Sequence, residues 1–326
     1  MHFILELAES YKKIRRTVFN NIEIQTVKFN NANLRENIFK KVFSDAFIPK
    51  VKTEQLGNIC YMSVGMVTNA DELTSQGEFS KDDLISDVQD TNHPQPYVEG
   101  KNIKAYCITK VRYIEYNNGR VPEKLRRPTF RQLYSSEKIL RGRVTPAVID
   151  NKGIVCNDSI IVMKRFIELK GVEELSITTS ISKNNLDEAE RVKTGRVKKI
   201  STNKKRTELE KKSEQFSLKY ILAILNSKYA FAYLNNFRRH RLENYFYPDD
   251  FRNLPIPLLS PQSQKKFIDI VCLVLSLKSE GKDTTALEQQ IDNLVYKLYE
   301  LTYQEVKIID PEFKLTESEY EAIKIE

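Results

Sequence analysis

Residues 138–163 read KILRGRVTPAVIDNKGIVCNDSIIVM. Two runs rich in β-branched residues, 138–149 and 154–163, flank the tetrapeptide DNKG at 150–153. Runs of this length and composition are typical of strands, and Asp, Asn and Gly tolerate the positive φ angles that hairpin turns need. The stretch therefore predicts an antiparallel hairpin with its turn at 150–153.

Similar runs occur earlier in the middle of the chain. Residues 58–67 and 103–116 combine β-branched and aromatic residues over strand-like lengths. Helical spacing replaces this pattern on both sides. The sequence therefore predicts an α+β fold, in which a β-rich middle is flanked by helices.

The start of the chain carries apolar residues at helical spacing. The segments FILELAESYKKI at 3–14 and LRENIFKKVF at 34–43 each place their apolar residues on one helix face, and Pro49 follows. We therefore expect residues 1–55 to form a helical N-terminal connector.

The C-terminal third also has helical spacing. Ser217 is a good N-cap for an apolar pattern that runs to about Asn235. Two further patterns lie on either side of Gly281, and Thr285 with Glu288 fits a capping box. We expect residues 259–326 to form an antiparallel helical hairpin and a tail, whose apolar faces serve an intramolecular core or, as the less favoured alternative, an oligomer seam.

Residues 171–215 are polar and strongly charged, with little to bury. Solvated charge runs rarely order on their own, so we expect a flexible surface loop here, within a domain that spans 56–258.

Composition limits the classes of partner and compartment. The chain has 326 residues, a formal net charge of +8 and four cysteines without CxxC spacing. A positive charge attracts polyanions in general, and isolated cysteines fit reduced cytoplasmic thiols. With neither a secretory leader nor a run of about 18 apolar residues, we expect a cytoplasmic protein that does not enter membranes.

Motifs for catalysis are missing from the sequence. The ten glycines form neither GxGxxG nor GxxxxGK[ST], the three histidines lie far apart without HExxH, and there is no GxSxG elbow. The acidic pair at 249–250 follows a proline and fits a turn better than a nuclease metal site. We therefore expect no catalytic residue and no metal site in this chain.

Basic and aromatic residues are interleaved in two places. Twelve Lys and Arg residues and only three Glu lie between 101 and 143, among several Tyr and Phe, and this stretch includes RRPTFR at 126–131. A second cluster, RRHR at 238–241, is followed by NYFY at 244–247. Such surfaces suit phosphate contact and base recognition, although a solvated charged face is the alternative. The acidic segment 71–90 should face away from DNA or dock on a basic partner domain.

Six strings of the sequence carry a family resemblance. They are LGNIC at 56–60, GMVTNADE at 65–72, YVEGKNI at 97–103, RPTF at 127–130, SLKYILAILNS at 217–227 and LPIP at 254–257. In this order they resemble the TaqI-like C-terminal specificity domain of type IIG restriction-modification enzymes, which are adenine-specific DNA methyltransferases and endonucleases. The last two strings are also similar, more loosely, to type I specificity subunits.

The resemblance implies a target-recognition domain for double-stranded DNA that directs adenine methylation or cleavage by a methyltransferase or nuclease domain or subunit. This chain lacks NPPY and a glycine-rich loop for S-adenosylmethionine. We therefore expect it to be no enzyme by itself and to need no cofactor, since S-adenosylmethionine and Mg would belong to the catalytic domains.

The predicted DNA-binding residues come from both basic clusters. Arginines are favoured because their forked donors match phosphates and guanine. Three alternatives remain: a general nucleic-acid or RNA-binding module, a protein-interaction subunit and, least favoured, a complete enzyme. The predicted DNA-facing residues are Lys101, Arg126, Arg127, Arg131, Arg141, Arg143, Arg238, Arg239, Arg241 and Asn244.

Overall fold

The computed structural model describes residues 2–8, 11–17, 25–29, 49–68, 82–116, 129–193, 204–237 and 245–325. The chain divides into two compact units, Met1–Pro49 and Lys50–Glu326. The domain borders expected near 55 and 258 stay predictions.

The first unit contains a three-stranded antiparallel sheet. Its strands are β1 His2–Ala8, β2 Tyr11–Thr17 and β3 Gln25–Phe29, with β2 in the centre. The helix predicted for 3–14 is therefore wrong. The apolar residues Phe3, Leu5 and Leu7 also recur at every second position, which is the period of a β-strand. The segment therefore fits a helix or a strand, and its pairing with β2 favours the strand. The second predicted helix, at 34–43, lies outside the described residues.

The second unit is an α+β structure. Its strands are β4 Thr53–Gln55, β5 Cys60–Val64, β6 Ile85–Ser86, β7 Gln95–Val98, β8 Ile103–Lys104, β9 Cys107–Ile108, β10 Arg112–Ile114, β11 Lys138–Gly142, β12 Ala147–Asp150, β13 Val155–Cys156, β14 Ile160–Arg165 and β15 Pro255–Pro257. Its helices are α1 Leu56–Ile59, α2 Arg131–Tyr134, α3 Leu175–Lys193, α4 Arg206–Ser213, α5 Leu218–Asn226, α6 Lys228–Phe237, α7 Pro248–Arg252, α8 Pro261–Ser279, α9 Thr285–Leu298, α10 Tyr303–Ile309 and α11 Glu317–Glu321.

Two four-stranded sheets share one hydrophobic core. The first has the order β12-β11-β14-β5 and is antiparallel, and the second has the order β13-β7-β10-β6 with β13 parallel to β7. Leu140 and Val162 of the first sheet belong to the same buried cluster as Tyr97, Ile114 and Val155 of the second. The β-rich middle predicted from sequence is therefore confirmed.

The hairpin predicted at 150–153 is wrong, because the reversal occurs one strand earlier. Strands β11 and β12 pair through a connection at 143–146, whereas β13 leaves for the second sheet. The carboxylate of Asp150 accepts the backbone N–H groups of Lys152 and Ile154, each at 3.0 Å, and Gly153 has φ +76°. The tetrapeptide is a turn, as its composition indicates, but one that joins two sheets.

The flexible loop predicted for 171–215 is also wrong over most of its length. Helix α3 buries Ile177 and Ile181, and α4 buries Leu209. These few apolar positions, spaced four apart on α3, anchor the helices although the segment as a whole is polar. Residues 194–203 lie outside the described part of the chain.

The C-terminal helices largely follow the prediction. Ser217 caps α5 by accepting the Lys219 N–H at 3.2 Å, but the helix ends at Asn226 and α6 begins at Lys228. Helices α8 and α9 form the predicted hairpin around Gly281, which has φ +69°. The predicted capping box of Thr285 and Glu288 is wrong, because Thr284 is the N-cap, its side chain makes no capping hydrogen bond and the third helical residue is Leu287. Helices α10 and α11 occupy part of the expected tail.

Candidate nucleic-acid interface

The tip of the β11–β12 hairpin meets the segment that follows the second basic cluster. The backbone N–H of Phe246 donates to the carbonyl of Arg143 at 2.9 Å, and Arg143 Nε donates to the carbonyl of Phe246 at 3.3 Å. These contacts join positions separated by 103 residues. The two basic-aromatic stretches of the sequence therefore converge at this point.

Two tyrosine rings position the guanidinium of Arg143. Its central carbon lies 4.4 Å from the ring centroid of Tyr247 and 5.0 Å from that of Tyr245. Cation–π contact of this kind is worth about 0.5–1 kcal/mol at exposed sites, and it also restricts the rotation of the side chain. Arg143 is half-buried and Tyr245 is 50% exposed, so the group is held in place but reaches the surface.

The surface around Arg143 includes Lys101. Ser159 connects the two regions, because its hydroxyl accepts the N–H of Gly100 at 2.9 Å and its carbonyl accepts the N–H of Arg143 at 2.9 Å. Lys101 is exposed and pairs with Glu99 at 2.9 Å. We name Lys101, Arg143, Val144, Tyr245 and Tyr247 the arginine-tyrosine surface.

Among the described residues, no carboxylate forms an ion pair with Arg143, and its Nη1 and Nη2 make no hydrogen bond there. Within the part of the chain that the structure describes, Arg143 therefore presents a cation without an ion pair and with two donor nitrogens that have no partner. Such a group binds an anion or a pair of hydrogen-bond acceptors.

Arg141 is placed differently from the prediction. Its side chain is 4% exposed, its Nε and Nη1 have no hydrogen-bond partner, and its guanidinium carbon lies 5.5 Å from the ring centroid of Phe251. Burial lowers the pKa of Arg141 to about 10. The expected exposed, DNA-facing arginine is thus corrected to a buried one, because it precedes the hairpin tip on a strand that is covered on both faces.

Arg131 is exposed, as expected, and begins α2. Two buried lysines hold the end of this short helix: Lys138 Nζ donates to the carbonyl of Tyr134 at 2.5 Å, and Lys164 Nζ donates to that of Gln132 at 2.7 Å. These ammonium groups satisfy carbonyls that the helix leaves open. Lys138 is one of the twelve cations of the basic stretch 101–143, but its side chain is completely buried and does not contribute to the surface.

Acidic residues neutralise another part of the basic stretch. Asp87 pairs with Lys110 at 2.9 Å and with Arg112 at 2.7 Å, and both hydrogen bonds hold the pKa of Asp87 below its ordinary value. This acidic residue therefore docks on basic residues of its own chain, rather than on a partner domain. The net positive charge counted along 101–143 overstates the charge of the surface.

Six predicted DNA-facing residues lie outside the described part of the chain. The aromatic neighbours of Arg143 were visible in the sequence as the NYFY string. Val144 was missed because its exposure depends on the turn at 143–146, and Ser159 was missed because its contacts with Gly100 and Arg143 form only in the fold. The undescribed six are Arg126, Arg127, Arg238, Arg239, Arg241 and Asn244.

Cysteine thiols and clusters of metal-ligating residues are two features that can support catalysis. Burial raises the pKa of Cys60 to about 12 and that of Cys156 above its ordinary range, so neither thiol is a ready nucleophile. No group of three or more His, Cys, Asp or Glu residues is arranged to hold a metal in the described segments. None of the helices that the structure describes has both the length and the apolar character of a membrane span.

No family model and no curated protein matches the sequence. Among solved structures, the HsdS subunit from Thermoanaerobacter tengcongensis is similar with a TM-score of 0.29 and 12% identity, over 77% of this chain and 45% of that one. The type IIL restriction-modification enzyme MmeI, solved in complex with DNA, is similar with a TM-score of 0.41 and 11% identity, over 96% of this chain and 40% of that one. The chain thus spans less than half the length of either, and TM-scores this low carry no weight for function.

Proposed function

We propose that this chain is a sequence-specific DNA-recognition module of a restriction-modification system. The observation that carries the proposal is Arg143, an uncompensated arginine that two tyrosines and a backbone hydrogen bond hold at a hairpin tip. Exposed Lys101 lies nearby on the arginine-tyrosine surface, and exposed Arg131 adds a further cation. The resemblance of the six sequence strings to the TaqI-like specificity domain supports the same function.

In this proposal cations fix the register on the phosphates while a few side chains read base edges. Methylation or cleavage is the work of a separate adenine methyltransferase or nuclease, which brings S-adenosylmethionine and Mg. The type IIG assignment, the methyltransferase partner and a cytoplasmic location all belong to this proposal.

The test is selection of bound duplexes from a random pool, followed by titration of the enriched duplex and of a scrambled one of equal length. We expect one enriched motif and at least a thousandfold tighter binding to it, the lower end of the range for specific DNA-binding proteins. Equal binding to both duplexes would instead indicate a general nucleic-acid module. No binding at low salt would reject a nucleic-acid function.

A further inference from the structure

We infer that Arg143 is a base-reading residue that recognises a guanine in the major groove, with the β11–β12 hairpin tip as the element that enters the groove. This inference rests on the proposed function and specifies the chemistry of its ligand. Arg143 has two ways to contact DNA, through a phosphate or through a base edge. The first of three features of its surroundings makes either contact possible, and the other two favour the base.

The first feature is the hydrogen-bond state of the guanidinium. Nε is engaged by the carbonyl of Phe246, and among the described residues Nη1 and Nη2 have no partner. A guanine presents two acceptors, O6 and N7, at the spacing that an arginine fork matches. Nη1 and Nη2 of Arg143 therefore offer a donor pair that fits a guanine as well as a phosphate.

The second feature is rigidity. The rings of Tyr245 and Tyr247 and the backbone pairing with Phe246 fix the plane of the guanidinium. A phosphate contact tolerates a mobile cation, as lysines show, whereas reading one base edge requires a fixed direction of the donors. This positioning is of little use for a nonspecific charge contact.

The third feature is the hairpin tip itself. Val144, next to Arg143, is an apolar residue with 56% exposure. An apolar side chain gains nothing beside a phosphate but can contact the methyl group of thymine in the major groove, which is wide enough for a two-stranded β-ribbon. The tip is narrow because Gly142 packs on Thr145, where an added Cβ would lie 1.7 Å from Oγ1.

The experiment compares wild type, Arg143→Lys and Arg143→Ala by selection from a random duplex pool and by titration of the wild-type motif at several salt concentrations. Arg143→Lys keeps the charge but loses the fork. We expect both variants to retain the rest of the motif. Arg143→Ala should lose the preference for G at one position by about tenfold or more, and Arg143→Lys should weaken it, because an ammonium group can still reach O6 and N7 but lacks the fixed fork. The salt slope of Arg143→Lys should equal that of wild type.

Arg131→Ala is the matched control, because Arg131 is exposed and has no ring against it in the described structure. It should leave every position of the motif unchanged and reduce the salt slope by about 0.9, as loss of one phosphate contact does. Circular dichroism and thermal unfolding would verify that all variants are folded.

The inference fails if Arg143→Lys and Arg143→Ala both enrich the wild-type motif and every position at which wild type prefers G keeps that preference. In that case DNA recognition stands but Arg143 does not read a base, and a smaller salt slope of Arg143→Ala would assign it to a phosphate. If wild type enriches no motif, the proposed function fails, and the inference fails with it.

Discussion

Lys138 and Asp150 lie opposite each other on β11 and β12 and form an ion pair in which the lysine side chain has no exposed surface. The same carboxylate accepts two backbone N–H groups of the turn that follows, and the same ammonium donates to the carbonyl of Tyr134. One buried pair therefore connects the first sheet, the turn towards the second sheet and the end of α2. These are the elements that support the hairpin tip and Arg131.

Loss of one partner of this pair should be costly. Lys138→Met leaves the Asp150 carboxylate buried without its cation, and we expect the free energy of unfolding to fall by about 3–5 kcal/mol, measured by urea denaturation. The double variant Lys138→Met/Asp150→Asn keeps an acceptor for one of the two turn N–H groups and removes the stranded charge, so it should recover part of that loss. A double variant less stable than Lys138→Met alone would contradict this account.

A second prediction concerns Asn226, the residue at the end of α5 that joins this helix to β12. Its side chain accepts the N–H of Ala147 at 2.7 Å and donates to the carbonyl of Ala147 at 2.9 Å, so it pairs with the edge strand as another strand would. Asn226→Ala should reduce the free energy of unfolding by about 1–2 kcal/mol, because the Ala147 N–H loses its partner, whereas the Ala147 carbonyl keeps the N–H of Tyr106 at 3.0 Å.

Asn226→Asp supplies the matched control for this prediction. It keeps the acceptor for the Ala147 N–H but places a carboxylate oxygen against the Ala147 carbonyl, so in the same denaturation experiment at about pH 7 it should be no more stable than Asn226→Ala. Equal stability of all three proteins would show that water replaces these contacts.

The secondary-structure content was largely predictable from sequence where the chain is strongly periodic. Helices α8 and α9 and the β character of the middle region follow from residue pattern, although the single predicted run 138–149 forms two strands, β11 and β12, and no run was predicted at β6 or β7. The pairing of strands did not follow, because the turn at 150–153 has the composition of a hairpin turn whether it joins neighbouring strands or two sheets. The segment 171–215 is polar on average, but a few of its apolar side chains are buried and hold helices α3 and α4 on the core. Composition does not show which apolar side chains will be buried.

The candidate site was predictable only as a set of residue types. The arginine and tyrosine stretches do meet, at Arg143 and Phe246. Which cations reach the surface depends on strand register and on long-range partners: Lys138 is buried against Asp150, and Arg112 pairs with Asp87. Local charge along the sequence contains no information about these partners.

A third prediction concerns pH. Burial, with repulsion from Asp310, raises the pKa of Asp292 to about 6, above the ordinary value near 3.9. Between these two pH values the folded state keeps a proton that the unfolded state has released, so ionisation of Asp292 lowers stability as pH rises from about 4 to 6. Asp292→Asn retains an acceptor for the Lys228 N–H and carries no charge.

Asp292→Asn should therefore be more stable than wild type at pH 7.5, on the order of 2 kcal/mol, and this advantage should shrink as pH falls through the pKa of about 6. Urea denaturation of both proteins at several pH values measures the difference. A difference that does not change with pH would mean that Asp292 ionises normally in the fold.

The last prediction separates the two arginines of the hairpin. Arg141 is buried and two of its nitrogens have no hydrogen-bond partner. Desolvation of its guanidinium therefore destabilises the fold, and no ion pair in the described structure offsets this cost. Arg141→Met preserves an unbranched apolar stem against Phe251 and removes the charge. We expect it to leave the free energy of unfolding unchanged or raised by about 1 kcal/mol, and to leave the salt dependence of DNA binding as in wild type. A loss of stability above about 2 kcal/mol would show instead that Arg141 is held by an anionic partner, because breaking a buried ion pair by removing one member is strongly destabilising.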